Sequence, residues 1–216
     1  KSFLQFGHES ARQRHMDNIA IANYPHESHS VPYSDSGLDS SSSAGAGAGV
    51  STSSDSDSDH KTAVTACWHS GYTEPFTDVD TGMTVRIQGP LSPSSTQLEE
   101  CMMSLIPLMR LDLDPFCDWV YGGECGIAGQ YQPVIPPEKD MNFIGLSSYE
   151  IPWAVYKMPP TATLEQFKEK AEEICSMSFS EMIVYYDTLE SVPPGGAVDL
   201  PYHCFFGAYV IVLLTK

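Results

Sequence analysis

Basic residues are scarce in this chain: 216 residues carry 11 Lys and Arg against 28 Asp and Glu, a formal net charge of −17. Affinity for nucleic acid grows mainly from Lys and Arg that neutralise phosphates, so this balance argues against DNA or RNA as a partner. Long apolar runs are missing as well. The longest candidate, Phe205 to Thr215, falls well short of the roughly 18 residues that read as a membrane helix, and it carries Gly207 and Tyr209. The reading is a chain with no membrane span of its own, any anchor lying outside it. Residues Lys1 to Arg14 lack the positive start, apolar centre and small-residue cleavage site of a signal peptide. The chain also has no initiator Met and opens on Lys1-Ser2-Phe3-Leu4, so the expectation is a piece of something longer, with any secretory address upstream.

Metal-binding spacings are absent too. None of Cys67, Cys101, Cys117, Cys125, Cys175 and Cys204 forms a Cys-x-x-Cys pair, and the histidines supply no partner at zinc-finger spacing, which argues against structural zinc. His26-Glu27-Ser28-His29 is one residue too short for the metalloprotease motif, whose two histidines must lie a full helical turn apart to share a metal. Six cysteines as free thiols would suit a reducing cytosol. Six paired ones would require an oxidising compartment and allow 15 connectivities, a choice that composition leaves open.

What the chain does hold is 42% apolar residues, enough for one ordinary core or two small lobes. Three regions follow from the composition: 1–33, a helical segment; 34–60, a disordered low-complexity insertion; and 61–216, an α/β lobe. The 27 residues from Ser34 to His60 comprise 11 Ser, 5 Asp, 4 Gly and 3 Ala. Such a segment buries too little apolar area to offset roughly 1–2 kcal/mol of backbone entropy per ordered residue. Gly45-Ala46-Gly47-Ala48-Gly49 imitates a phosphate-binding loop, but neither a strand before it nor a helix after it supplies the required context. The run Asp55-Ser56-Asp57-Ser58-Asp59 reads as a solvated charge run in preference to a weak cation or phosphorylation site.

Outside the insertion, helix signals are local and strong. His8 to Ala22 reads as a helix with Ala11, His15, Ile19 and Ala22 on one face. Thr96 with Glu99 forms a capping-box pattern ahead of Leu98, Met102, Leu105 and Ile106, and Pro107 should end or kink that helix. Thr163 with Gln166 opens the clearest helix, with Leu164, Phe167, Ala171, Ile174 and Cys175 as its buried face. Ser178 with Glu181 starts another through Ile183 and Tyr186. Strands are expected at Met83 to Gln88, Asn142 to Leu146 and Phe205 to Leu214, the last as an apolar strand buried on both faces. Alternating strands and helices make α/β the expected class.

Several stretches taken in order resemble the apyrases, the family of nucleoside triphosphate diphosphohydrolases and Golgi guanosine diphosphatases. Ser2-Phe3-Leu4-Gln5-Phe6-Gly7 with Ala11-Arg12 is similar to the family's Ser-Phe-Leu-Gly-Tyr-Gly segment and the Ala-Arg that follows it. Cys67-Trp68-His69-Ser70-Gly71-Tyr72 resembles its Pro-Cys-Leu-Pro-Lys-Gly-Tyr turn. Cys125-Gly126-Ile127-Ala128-Gly129 with Gln132-Pro133 is similar to its Cys-x-Phe-x-Gly stretch. Phe143-Ile144-Gly145-Leu146-Ser147-Ser148-Tyr149 resembles its fifth conserved region. Residues Pro160 to Ser176 and Cys204-Phe205-Phe206-Gly207-Ala208-Tyr209 resemble its closing helix and strand.

The resemblance implies the C-terminal lobe of an actin-like, ribonuclease H-like two-lobed nucleotidase. Such an enzyme hydrolyses nucleoside tri- and diphosphates to monophosphates with water and a divalent cation, Mg or Ca. The cation screens the phosphate charge that an acidic protein would repel, and its ligands are expected outside this chain. The family's two glycine-rich phosphate loops, the segment bearing its catalytic glutamate and its Trp-x-Leu-Gly element are missing from these residues. No catalytic residue is therefore assigned: Glu9, Glu124 and Glu150 lie near matched motifs without the pattern of a general base.

On the resemblance, this region contributes the nucleobase side of the cleft, with Ser147 and Tyr149 at matching positions. Glu150 and Ile151 replace the usual Tyr-Tyr, so Trp153 or Tyr156 would have to offer the aromatic surface, although core packing is the plainer reading of both. His203 stands where the family often has a base-proximal tyrosine, against the plainer reading of a surface histidine. The family pattern further implies disulfides in sequence order, Cys67 with Cys101, Cys117 with Cys125 and Cys175 with Cys204. Bonds of that kind place the protein in the secretory pathway, in the Golgi lumen or at the cell surface. The alternative of a different class is a disulfide-stabilised binding or interaction module without hydrolytic chemistry.

Overall fold

The computed structural model describes residues 7–23, 61–78, 82–109, 127, 149–189 and 199–215. The Ser-rich stretch 34–60, the strand expected at Asn142 to Leu146, the Cys117–Cys125 pair and Ser147 lie outside the described residues. What is described is a mixed α/β arrangement. In chain order it comprises α1 (His8–Asn23), β1 (Thr62–Val64), β2 (Thr73–Thr77), β3 (Thr84–Gln88), α2 (Gln97–Leu105), α3 (Glu150–Val155), α4 (Leu164–Cys175), α5 (Phe179–Asp187) and α6 (His203–Thr215). Short 3₁₀ turns at Ile106–Met109 and Leu200–Tyr202 extend α2 and precede α6.

The sheet has the order β1-β3-β2, with β1 parallel and β2 antiparallel to β3. β3 alternates as a half-buried strand should: Val85 and Ile87 face inward with no exposure, while Arg86 points out. This is the strand expected from Met83 to Gln88.

The two downstream helices begin where their capping boxes put them. Thr163 accepts from the Gln166 amide while the Gln166 side chain accepts from the Thr163 amide, and Ser178 and Glu181 repeat the exchange. On α4 the expected face is buried at Phe167, Ala171, Ile174 and Cys175, with Leu164 half-buried. α1 is helical as expected, but its buried face is Ala11, His15, Met16 and Ala20, and Ala22 is exposed.

Two expectations are corrected. Thr96 does precede α2, yet it forms no capping box with Glu99. Its backbone is itself helical (φ −93°, ψ 0°), which turns the hydroxyl away from the orphan amides, and it donates to Glu100 Oε1 at 2.7 Å. Pro107 does end the α-helical ladder: α2 stops at Leu105 and continues as the 3₁₀ turn Ile106–Met109.

The larger correction concerns Phe205 to Leu214, which forms most of α6 and is not a strand. An unbroken apolar run has no period, so a strand buried on both faces and a helix buried all round share one pattern. Length decides between them. Thirteen residues are long for a strand and span about 20 Å as a helix. α6 runs through the middle of the molecule against α1, α2, α3 and α4, and every residue from His203 to Val212 is buried.

One glycine makes the helical packing possible. A Cβ on Gly207 would clash with the Tyr156 hydroxyl, which donates to the His203 carbonyl at 2.6 Å. Gly207→Ala is therefore expected to destabilise the fold by about 1–3 kcal/mol, the usual cost of overpacking. In a double-mutant cycle read by urea unfolding, Tyr156→Phe should cost less in the Gly207→Ala background than in the wild type, because it removes the clashing oxygen.

Two disulfides tie the helices to this centre. Cys67–Cys101 joins the turn after β1 to α2, with Cα atoms 4.7 Å apart, and Cys175–Cys204 joins the end of α4 to the start of α6, at 4.6 Å. All four cysteines are fully buried.

Candidate functional site

α3 begins at Tyr149, its N-cap, and tolerates Pro152 because the amides of a first helical turn have no intrahelical partner to lose. It carries Trp153 and Tyr156 one turn apart onto Phe167 of α4. The rings of Trp153 and Phe167 stack at 5.2 Å and 12°, those of Tyr156 and Phe167 at 5.1 Å and 26°. Trp153 is half-buried and donates from Nε1 to the Pro159 carbonyl at 3.2 Å. Tyr156 is fully buried, and burial drives its phenol well above the ordinary range.

His203 lies at the far end of this aromatic chain. It is completely buried at the start of α6, where its ring stacks on Tyr186 at 6.3 Å and meets the edge of Phe206 at 6.0 Å. The expectation of a surface histidine is thereby corrected: α6 enters the core at its first residue, so His203 presents no surface. Trp153 and His203 are linked through Phe167 and Tyr156, whose hydroxyl donates to the His203 carbonyl. Of the residues expected at the base site, Tyr149 and Trp153 keep partial exposure.

A second constellation joins residues far apart in sequence. Tyr202, in the turn before α6, donates to Glu74 on β2 at 2.7 and 2.9 Å, and the Tyr72 hydroxyl donates to the same carboxylate at 3.3 Å. Register on β2 turns Phe76 into the core and leaves Glu74 half-buried, facing the turn that holds Tyr202. The Arg12 guanidinium of α1 sits 4.2 Å above the Tyr202 ring and pairs with Glu9 at 2.8 Å. That geometry suits a cation–π contact.

Both phenols are held protonated. Burial raises Tyr202 first and its bonds to Glu74 and Tyr72 raise it further, while burial also raises Tyr72. Asp199 is pushed above the usual carboxylate range by burial and by the negative charge of Glu9, against the pull of Arg12 and His8. A carboxylate with both oxygens accepting from phenols is a fixed acceptor, better suited to orienting groups than to abstracting a proton.

Arg12 and Tyr72 fall within stretches that resemble the apyrases. Glu74 and Tyr202 carried no sequence signal: a lone Glu on a five-residue strand and a Tyr in a turn become partners only across 128 positions. Among the described residues, no group of three or more His, Cys, Asp or Glu is placed to hold a metal ion. No helix of the described residues is long and apolar enough to cross a membrane. Compared with known proteins, the chain matches no family model and no curated sequence.

Proposed function

We propose that this chain is one region of an apyrase-like nucleotidase, hydrolysing nucleoside tri- or diphosphates to monophosphates, and that it contributes the nucleobase side of the cleft. The observation that carries the reading is the cysteine pairing. Four cysteines can pair in three ways. Those described here pair in sequence order, Cys67 with Cys101 and Cys175 with Cys204, as the resemblance implies. The mixed α/β architecture agrees with an actin-like lobe, and two buried disulfides suit a Golgi-lumenal or extracellular protein.

Tyr149 and Trp153 are the residues through which a base would be met, because both keep partial exposure on α3. The described residues do not fit a divalent cation, so no step on the phosphates is derived from them.

This chain alone is expected to release no phosphate from ATP, GTP or GDP, since its sequence holds neither glycine-rich phosphate loop. A protein that joins it to those loops should turn over with Mg or Ca and stop in excess chelator. Phosphate release that survives the chelator would exclude the apyrase reading. A protein that binds no nucleotide would leave the non-catalytic, disulfide-stabilised module.

A further inference from the structure

The turn between α4 and α5 is held from two sides. On one side Cys175, the last residue of α4, is bonded to Cys204 and has no exposure, so α4 ends at a fixed point. On the other side the turn is latched to residues 69–72. His69 Nδ1 donates to the Met177 carbonyl at 3.0 Å across 108 positions, the Phe179 amide donates to the Ser70 carbonyl at 2.8 Å, and the Phe179 ring packs on Tyr72 at 4.8 Å. Beyond this latch α5 adds little to the core. Met182 is its fully buried residue, Phe179, Tyr185 and Tyr186 are half-buried, and the rest are exposed. A helix with so few buried side chains belongs to the low end of local stability, whereas α4 and α6 belong to the core.

His69 is the buried centre of the latch. Its ring has no exposure, and Nε2 has no hydrogen-bond partner among the described residues. The ionisable groups on the elements around it are Tyr72, Arg86 of β3, Glu99 and Glu100 of α2, Glu172 and Glu173 of α4 and Glu181 of α5. None of them shifts its titration, which burial lowers against the pull of the Met177 carbonyl. From α6 the buried His203 faces α5 through its stack on Tyr186. A proton on His69 Nε2 therefore meets no counter-charge while the latch is closed.

We propose that α5 is a proton-coupled flap: it leaves the latch by a hinge at residues 176–178 while α4, α6 and the sheet stay folded, and His69, uncovered in the open form, takes a proton that favours it. Opening turns Met182 and the Tyr72 face under Phe179 toward solvent, so acid exposes an apolar surface that is covered at neutral pH. The sign follows from linkage, since the open form binds one proton more than the closed form and must gain population as pH falls. With His69 at about 4 when latched and at its ordinary value when open, opening is about twentyfold more frequent at pH 5 than at pH 7.

Hydrogen–deuterium exchange of the whole chain, read by mass spectrometry at pH 5 and pH 7 and corrected for the chemical rate at each pH, tests the flap. Amides of residues 177–187 should be less protected than those of α4 and α6, and their protection should fall about twentyfold between the two conditions. His69→Asn, whose side-chain amide can still donate to the Met177 carbonyl, should reduce that fall to less than about threefold. His203→Phe, which keeps a ring against Tyr186, should leave it intact. Phe179→Ala loosens the latch without touching a titrating group, so it should lower protection by a similar factor at both pH values and keep the slope, a result that does not depend on either histidine variant folding. Protection of 177–187 equal to that of α4, or indifferent to pH, would overturn the proposal. A fall that persists in His69→Asn, or is lost in His203→Phe or Phe179→Ala, would overturn it as well. Circular dichroism and unfolding midpoints at pH 8 certify that the variants compared are folded.

Discussion

Replacing Cys175 and Cys204 together by alanine is expected to lower the unfolding free energy by about 3–4 kcal/mol, the chain-entropy value for a loop closed over a sequence separation of 29. The bond restrains the unfolded chain, and in the folded state it fixes the last turn of α4 against the first turn of α6, where both cysteines have no exposure. Cys67–Cys101, with a separation of 34, should be worth a similar amount. Domains of this kind carry about 5–15 kcal/mol in total, so losing both bonds should leave little or no folded protein at 37 °C. Urea unfolding of the alanine pairs, beside the oxidised wild type, gives the numbers. A loss of less than about 1 kcal/mol for the Cys175–Cys204 pair would contradict the restraint assigned to it. Peptide mapping of the non-reduced protein checks the pairing itself and extends it to Cys117 and Cys125, whose bond rests on the resemblance alone.

Acidification should destabilise the protein between about pH 6.5 and pH 4, through His15 and His69. Burial pushes both down to about 4, with the Met177 carbonyl opposing it slightly at His69. His69 Nδ1 donates to that carbonyl at 3.0 Å, while Nε2 is buried with no hydrogen-bond partner, so a proton arriving there would be a buried charge without an acceptor. His15 lies on the inner face of α1 and is hydrogen-bonded to Thr65 Oγ1 at 3.0 Å. The sign follows from proton counts. In that window the unfolded chain binds a proton at each histidine and the folded chain does not, so stability rises with pH and is lost as pH falls. Each histidine accounts for on the order of 3 kcal/mol across the window, with a steepest slope of about 1.4 kcal/mol per pH unit. Urea unfolding at a series of pH values reads the slope directly. His69→Gln should remove about one proton's share of it, whatever the variant does to stability at pH 8. An unchanged slope would mean that His69 titrates alike folded and unfolded.

Local chemistry in the sequence determined a good part of this protein. The capping boxes at Thr163 and Ser178 place the starts of α4 and α5 because both partners of each box lie within one turn. The alternation of Val85 and Ile87 with Arg86 places β3 for the same reason, as side chains two apart share a face. Tertiary structure decided the rest. Phe205 to Leu214 became a helix because α1, α2, α3 and α4 enclose it, an enclosure that an unbroken apolar run cannot announce. Thr96 turned to Glu100, not Glu99, once its own backbone had entered the helical region. The bonds from Tyr202 to Glu74 and the stacking that buries His203 join residues remote in the chain. Neighbours along the chain suffice for caps and periodicity, whereas the burial of His203 and the meeting of Glu74 with Tyr202 depend on which faces the whole core brings together.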